Sequence, residues 1–318
     1  MSAKISRRRF IKTATMAGAG LYSFGIIGCG KKSRELHPRT LRQNSLTDKI
    51  VVGKGDEIRS VVRAVVEKLG GMSSLVRKDD VVVVKPNIGW TTPPHLGGCT
   101  NPEVVASVIE LCYEAGASKV KVFDRGCRDD RISYQRSGIA DAAKKVGAEV
   151  SFVDKRLFRD VPIERGKKLK SWPIYQDAVK ADVLINLPVA KVHNATWLTL
   201  SLKNLMGTAG GDRGTWHQSL HQKIADYYTV LPCDLGILDA YRIMVTNGPA
   251  GGSPRDVRLK KTIVASKDLV ALDAFAANEF FKEILQKANK TPADVRHIKY
   301  AHEHGAGNMD FSERVVRI

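Results

Sequence analysis

Lys191 and His193 stand either side of an apolar valine in the stretch Ala-Lys-Val-His-Asn that begins at Ala190. In an extended chain, alternate residues share a face, so the ammonium and the imidazole point the same way. A lysine holds an anion, and a histidine, whose ordinary pKa lies nearest neutrality, moves a proton. Ten residues on come Lys203 and Asn204, then Gly207, Gly210 and Gly211. Glycines let backbone amides approach a ligand closely, and a glycine-rich segment beside a helix can cradle an anion. The Gly-Lys-Ser/Thr ending of a Walker loop is missing. Lys85, Asn87, Asp124 and Asp239 each follow or close an apolar run of strand length. Lys191, His193 and Lys203 are therefore the expected catalytic groups. Lys85, Asn87, Asp124, Asn204, the three glycines and Asp239 are the expected ligand-binding groups. His217 and His221 stand four apart, a spacing that puts both on one side of a helix and makes them a candidate metal pair.

These residues act together only if the strands that carry them lie side by side. Val81–Val84 is a continuous apolar run bounded by Asp79-Asp80 and Pro86, the signature of a strand buried on both faces. Residues 119–124, 148–154 and 182–188 read as further strands. Helical periodicity fills 56–69, 102–115, 139–146 and 175–181. Such alternation predicts an α/β fold, a mostly parallel sheet with helices on both faces. Two more strands are expected at 235–241 and 260–266 and a helix at 269–282, so that 235–318 could form a smaller subdomain of the single domain 49–318. A short helix is expected over 196–205, and the basic stretch 156–170 reads as a solvated excursion. A parallel sheet gathers ligands at the carboxyl ends of its strands, where the polar residues above fall.

The N-terminus reads as an address. Ser6-Arg7-Arg8-Arg9-Phe10 carries a twin-arginine pattern in which Arg7 and Arg8 are the signal pair, followed by a mild apolar stretch to Gly28 too short to be a good membrane span. Ile26-Ile27-Gly28-Cys29 resembles a lipoprotein cleavage box, which makes Cys29 the expected lipid attachment and residues 29–48 a basic tether. The expected partners are the twin-arginine export machinery, a small anionic ligand and a membrane surface. The expected location is periplasmic or at the cell surface. A net charge of +18, from 51 Lys and Arg against 33 Asp and Glu, favours anionic partners. Nucleic acid is not expected of an exported chain without a helix-turn-helix, zinc-finger or RNP pattern. No two of the five cysteines have C-x-x-C spacing, so an iron-sulfur cluster is not expected, whereas a metal is possible. Cys99 and Cys127 fall in loops and could pair; Cys112 reads as core.

The stretches VVVVKPNIGW, TNPEVVASVIELCYEAGASKVKVFDRG, ADVLINLPVAKVHNATWLTLSLKNLMG and NGPAGGSPRDVRLKKTIVASKDLVALDAFAA, in this order, resemble the domain-of-unknown-function family 362 over roughly 50–285. Many members of that family add a ferredoxin segment with clustered cysteines, which is not found here. NLPVAKVHNATWLTLSLKNLMG is also similar in layout to a segment of the lactate racemase family. That resemblance implies that Lys191, His193 and Lys203 act on a carboxylate or an anionic cofactor; it is too short to transfer nickel or a racemase reaction. Two functions stay open. One is an exported enzyme acting on a small acidic metabolite. The other is a non-catalytic metal- or cofactor-binding or maturation protein for exported redox enzymes.

Overall fold

The computed structural model of the chain describes residues 36–318. The signal pair Arg7-Arg8, Cys29 and the first part of the tether lie outside these residues. In chain order the strands and helices are β1 (Ile50–Lys54), α1 (Ile58–Leu69), β2 (Val81–Pro86), α2 (Pro102–Glu114), β3 (Lys119–Val122), α3 (Asp130–Arg136), α4 (Ile139–Lys145) and β4 (Glu149–Val150). The chain continues through β5 (Phe158–Pro162), β6 (Ser171–Tyr175), α5 (Gln176–Lys180), β7 (Val183–Leu187), β8 (Val189–His193), β9 (Trp197–Thr199) and α6 (Ser201–Asn204). It ends with α7 (Leu220–Tyr228), β10 (Leu235–Met244), β11 (Val257–Ser266), α8 (Leu269–Lys287), α9 (Arg296–Glu303) and β12 (Val315–Arg317).

One sheet runs β12-β1-β11-β10-β7-β2-β3-β4, with β8 beside β10 and β9 beside β8. Its central pairs β10–β7, β7–β2, β2–β3 and β3–β4 are parallel, as are β10–β8 and β1–β12. Antiparallel pairing is confined to β1–β11, β10–β11 and β8–β9. The fold is therefore α/β, mostly parallel. The apolar runs explain why it is covered on both faces. On β2, Val82 and Val84 enter the core that α1, α2 and α4 close, while Val83 enters the core under α6, α7, α8 and α9. β7 alternates likewise, with Leu184 towards the second layer and Val183, Ile185 and Leu187 towards the first. Asn101 caps α2: its Oδ1 accepts the Glu103 amide at 3.0 Å, with Pro102 in the first turn.

Several expectations are corrected. β1 precedes the first expected helix and is central enough to hold both β11 and β12. The strands of 235–318 pair within the one sheet rather than in a sheet of their own. Residues 156–170 are not a loose excursion but contribute to a two-stranded hairpin, β5–β6. The strand expected at 148–154 shrinks to two residues. The helix expected at 196–205 is a strand, β9, followed by the single turn α6, because Trp197–Thr199 forms an antiparallel ladder against β8. Residues 36–48, expected as tether, lie against the domain. Arg39 pairs with buried Asp234 and donates to Pro232 O at 2.9 Å, Arg42 pairs with Asp80, and Leu46 is buried. Charge and one apolar anchor hold this segment. Among the described residues, no helix is long and apolar enough to cross a membrane.

Candidate functional site

Strand parity decides which polar groups meet. Lys85 shares the parity of Val83, and Asn186 that of Leu184, so both point into the layer that contains α6. There Asn204 bridges them. Its Nδ2 donates to Asn186 Oδ1 at 2.8 Å, and its Oδ1 accepts from Lys85 Nζ at 3.2 Å and from Asn87 Nδ2 at 2.9 Å. Asn186 Nδ2 in turn donates to Ser201 O at 2.8 Å. The turn α6 is held from the other side by Asp273 of α8, whose two carboxylate oxygens accept the amides of Ser201 and Leu202 at 2.7 and 2.9 Å. Burial pushes the Asp273 carboxyl up to about 7.

Lys85 is fully buried. Its ammonium donates to Pro86 O at 2.7 Å and lies 2.8 Å from Asp124 Oδ1 in an ion pair whose angle is poor for a hydrogen bond. Asp124 Oδ2 accepts the Ile88 amide at 2.6 Å. Burial lowers the Lys85 pKa despite the carboxylate beside it. Gly207 closes over this pair. A Cβ there would sit 1.7 Å from Asp124 Oδ1 and 2.8 Å from Lys85 Nζ.

Above the pair opens a cavity of about 60 Å³, lined by Asn87, Asp124, Lys191, His193, Thr199, Lys203, Asn204, Gly207 and both Arg125 and Arg213, among others. It is large enough to hold only a few heavy atoms. Lys191 reaches it from β8, donating to Gly98 O at 2.5 Å and Asn87 Oδ1 at 3.1 Å. Burial lowers its pKa to about 8. Lys203 reaches it from α6 and is likewise lowered to about 8, by burial first and by the charges of Lys191, Arg213 and Lys85 as well. Its one hydrogen-bond contact among the described residues is the Met206 thioether, at 3.4 Å. His193 Nδ1 accepts the Ala195 amide at 3.0 Å, which leaves the ring proton on Nε2. Burial, then the cations Lys203 and Lys191, hold its pKa down at about 2. His193 is thus held neutral, with its N–H donor on Nε2. Thr199 lines the same cavity, and its buried Oγ1 has no hydrogen-bond partner among the described residues. Arg213 clamps the rim, donating to the carbonyls of Arg125, Met206 and Gly126 at 3.0, 2.9 and 2.7 Å.

The structure brings together Lys85, Asn87, Asp124, Lys191, His193, Lys203, Asn204 and Gly207. It places five other expected residues elsewhere. Asp239 has the parity of Ile237 and faces the opposite layer, where it accepts the amides of Asn101 at 2.7 Å and Tyr241 at 3.0 Å; burial raises its pKa to about 6. Gly210 and Gly211 pack against the β5–β6 hairpin, with Gly210 N donating to Pro173 O at 2.7 Å and Trp172 Nε1 to Gly210 O at 3.2 Å. They support the loop and do not line the cavity. His217 and His221 share no helix: His217 lies in the tight turn Arg213–Ser219, its Nδ1 2.9 Å from Gly214 O, and His221 stacks on His297. Among the described residues no group of three or more His, Cys, Asp or Glu is placed to hold a metal ion. Cys99 is buried, with its thiol on Trp90 O, and Cys127 is exposed; both are free, so the pairing considered for them is not made. Sequence reasoning missed Asn186, Thr199, Arg213 and Asp273. Two carried a signal: a polar residue inside an apolar run, Asn186 in VLINLP and Asp273 in VALDAFAA.

A thylakoid-associated protein of Synechocystis sp. (strain ATCC 27184 / PCC 6803 / Kazusa) is 31% identical over 221 residues, which are 67% of this chain and 66% of that protein. The chain thus spans just under two thirds of that relative's length. Among solved structures, a Thermotoga maritima protein is similar at 14% identity and a TM-score of 0.36, over 63% of this chain and 52% of that one. The lactate racemase apoprotein from Thermoanaerobacterium thermosaccharolyticum is similar at 11% identity and a TM-score of 0.38, over 73% of this chain and 58% of that one. These two likenesses are too slight to bring an activity to this chain. The profile of the domain of unknown function DUF362 matches residues 82–278, a span that holds every residue of the cavity described above, and the chain belongs to that family.

Proposed function

We propose that the protein binds a small anionic metabolite in the cavity at the carboxyl edge of its sheet and acts on it as an enzyme. The surplus of cations carries this reading: Lys191, Lys203, Arg125 and Arg213 line the cavity against one carboxylate, Asp124, which Lys85 already engages. Charges of one sign held in a poorly solvated site stabilise an entering charge of the other sign far more than they would in water. His193 Nε2–H would donate to a ligand oxygen and stabilise charge that develops there, as neutral imidazoles do when cations keep them from protonating. Placement after twin-arginine export, with a lipid on Cys29, is part of the same proposal. The name of the thylakoid-associated relative supports attachment to a membrane face.

The test is thermal unfolding of the purified chain in a panel of small carboxylates and phosphates and their uncharged amides and esters. Binding at ten times Kd adds about 1.4 kcal/mol of stability. Anions should raise Tm, their neutral counterparts should not, and Lys191→Met should remove the effect. Equal stabilisation by the amides, or none by any anion, would refute the reading. If turnover of a binding anion is found and His193→Ala leaves it intact, the assignment of His193 fails.

A further inference from the structure

The three lysines of the site, Lys85 and Lys191 buried and Lys203 half-buried, differ in what their ammonium groups have to bond. Lys85 has Pro86 O, Asn204 Oδ1 and the Asp124 carboxylate. Lys191 has Gly98 O and Asn87 Oδ1. Lys203 has, among the described residues, a thioether sulfur and no oxygen. An ammonium carries three donors and is costly to desolvate without acceptors, so the site shifts Lys203 towards the free amine. Three cations face it, Lys191, Arg213 and Lys85, and push in the same direction; Cys127 is the one opposing group among its main neighbours. A desolvated lysine beside other cations is the arrangement that makes an amine nucleophilic at neutral pH. Across the same small cavity stand two groups with capacity to spare for one more oxygen: Thr199 Oγ1, buried and unpartnered, and the Nε2–H of His193.

We propose that Lys203 Nζ condenses with the carbonyl carbon of a small 2-oxo acid in this cavity, with Thr199 and His193 holding the carbonyl oxygen. This rests on the anion-binding reading above and names its substrate class. The amine lone pair forms the N–C bond while the carbonyl π pair moves to oxygen, where the two donors meet the developing charge. One amine proton passes to that oxygen to give a carbinolamine. The C–O bond then breaks and the oxygen leaves as water with the second amine proton, leaving a neutral imine. Amine and carbonyl become imine and water, with no oxidant or reductant. The carboxylate of the acid would lie in the field of Lys191, Arg125 and Arg213. An imine next to a carboxylate acidifies the neighbouring C–H bonds, which makes proton removal at that carbon the natural next reaction.

The experiment uses the whole chain at pH 8 with pyruvate and sodium borohydride, which reduces an imine to a stable secondary amine. Intact mass and peptide mapping are read, and Tm is recorded in parallel with pyruvate and with propionate. The expected result is one saturable adduct on Lys203, suppressed by propionate and not formed from acetone. Lys203→Arg has no primary amine at this position and should lose the adduct. Stabilisation by both acids with no adduct, or adducts spread over surface lysines and unchanged in Lys203→Arg, would overturn the imine and leave anion binding standing. No stabilisation by either acid and no adduct would overturn both.

Discussion

Replacing Gly207 by alanine tests the ion pair on which the cavity floor rests. Gly207 lies in a tight turn and its φ is not in the left-handed region, so the backbone itself accepts alanine. On conformational grounds alone Ala would help by about 0.5–1 kcal/mol. Space decides otherwise. The new Cβ would lie 1.7 Å from Asp124 Oδ1, well inside van der Waals contact, and 2.8 Å from Lys85 Nζ. The carboxylate cannot simply swing away, because Oδ2 is held by the Ile88 amide and the group is 2% exposed. Either the turn lifts or the pair separates. Overpacking costs about 1–3 kcal/mol and breaking a buried pair about 3–5. Set against the small gain, the net loss should be about 3 kcal/mol. For a domain of this size that is roughly 6–12 °C in Tm. Urea unfolding of Gly207→Ala should show this loss beside Gly252→Ala, whose added methyl meets nothing within 4 Å and should be neutral. A Gly207→Ala protein within about 0.5 kcal/mol of the parent would refute the packing argument, since surface substitutions alone move stability by that much.

Asp124→Asn alone should cost about 3–5 kcal/mol by leaving a buried lysine unpaired, whereas Lys85→Met with Asp124→Leu should cost less than the sum of the single changes; additive costs in urea unfolding would mean the pair is not coupled. Asp273→Ala leaves the Ser201 and Leu202 amides without their acceptor, so a loss of about 2 kcal/mol or more is expected. Lys203 should also lose its place, so anion-induced stabilisation should fall, and an unchanged ligand response would show that α6 holds its position without Asp273. The Lys203 pKa is about 8 folded, below its ordinary 10.5, so the unfolded chain binds more protons between these values. The native state therefore gains stability as pH rises from 8 towards 10.5, at up to about 1.4 kcal/mol per pH unit. Lys203→Met should accordingly be more stable than the parent at pH 7, with an advantage that shrinks by pH 10; an advantage independent of pH would contradict a desolvated ammonium.

Which residues carry chemistry, and on which strands, could be read from the chain because the relevant signals are local. VVVVKPN announces a buried parallel strand with a lysine at its end, and AKVHN puts two functional side chains on one face by the period of an extended chain. Hydrophobic alternation with helices then requires a mostly parallel sheet, whose carboxyl edge is where such residues collect. The choice between Asp124 and Asp239 was not local. Both end apolar runs, yet one faces Lys85 and the other caps α2 on the far side of the sheet, and only the register of β10 against β7 and β11 decides this. Nor could the sequence say that Asn186 and Asp273 meet at α6. Their contacts span 15 to 72 residues of chain and depend on how α8 packs over the sheet. The lowered pKa values of Lys203 and His193 belong wholly to the tertiary structure, because desolvation and neighbouring charge exist only once the chain has closed around them.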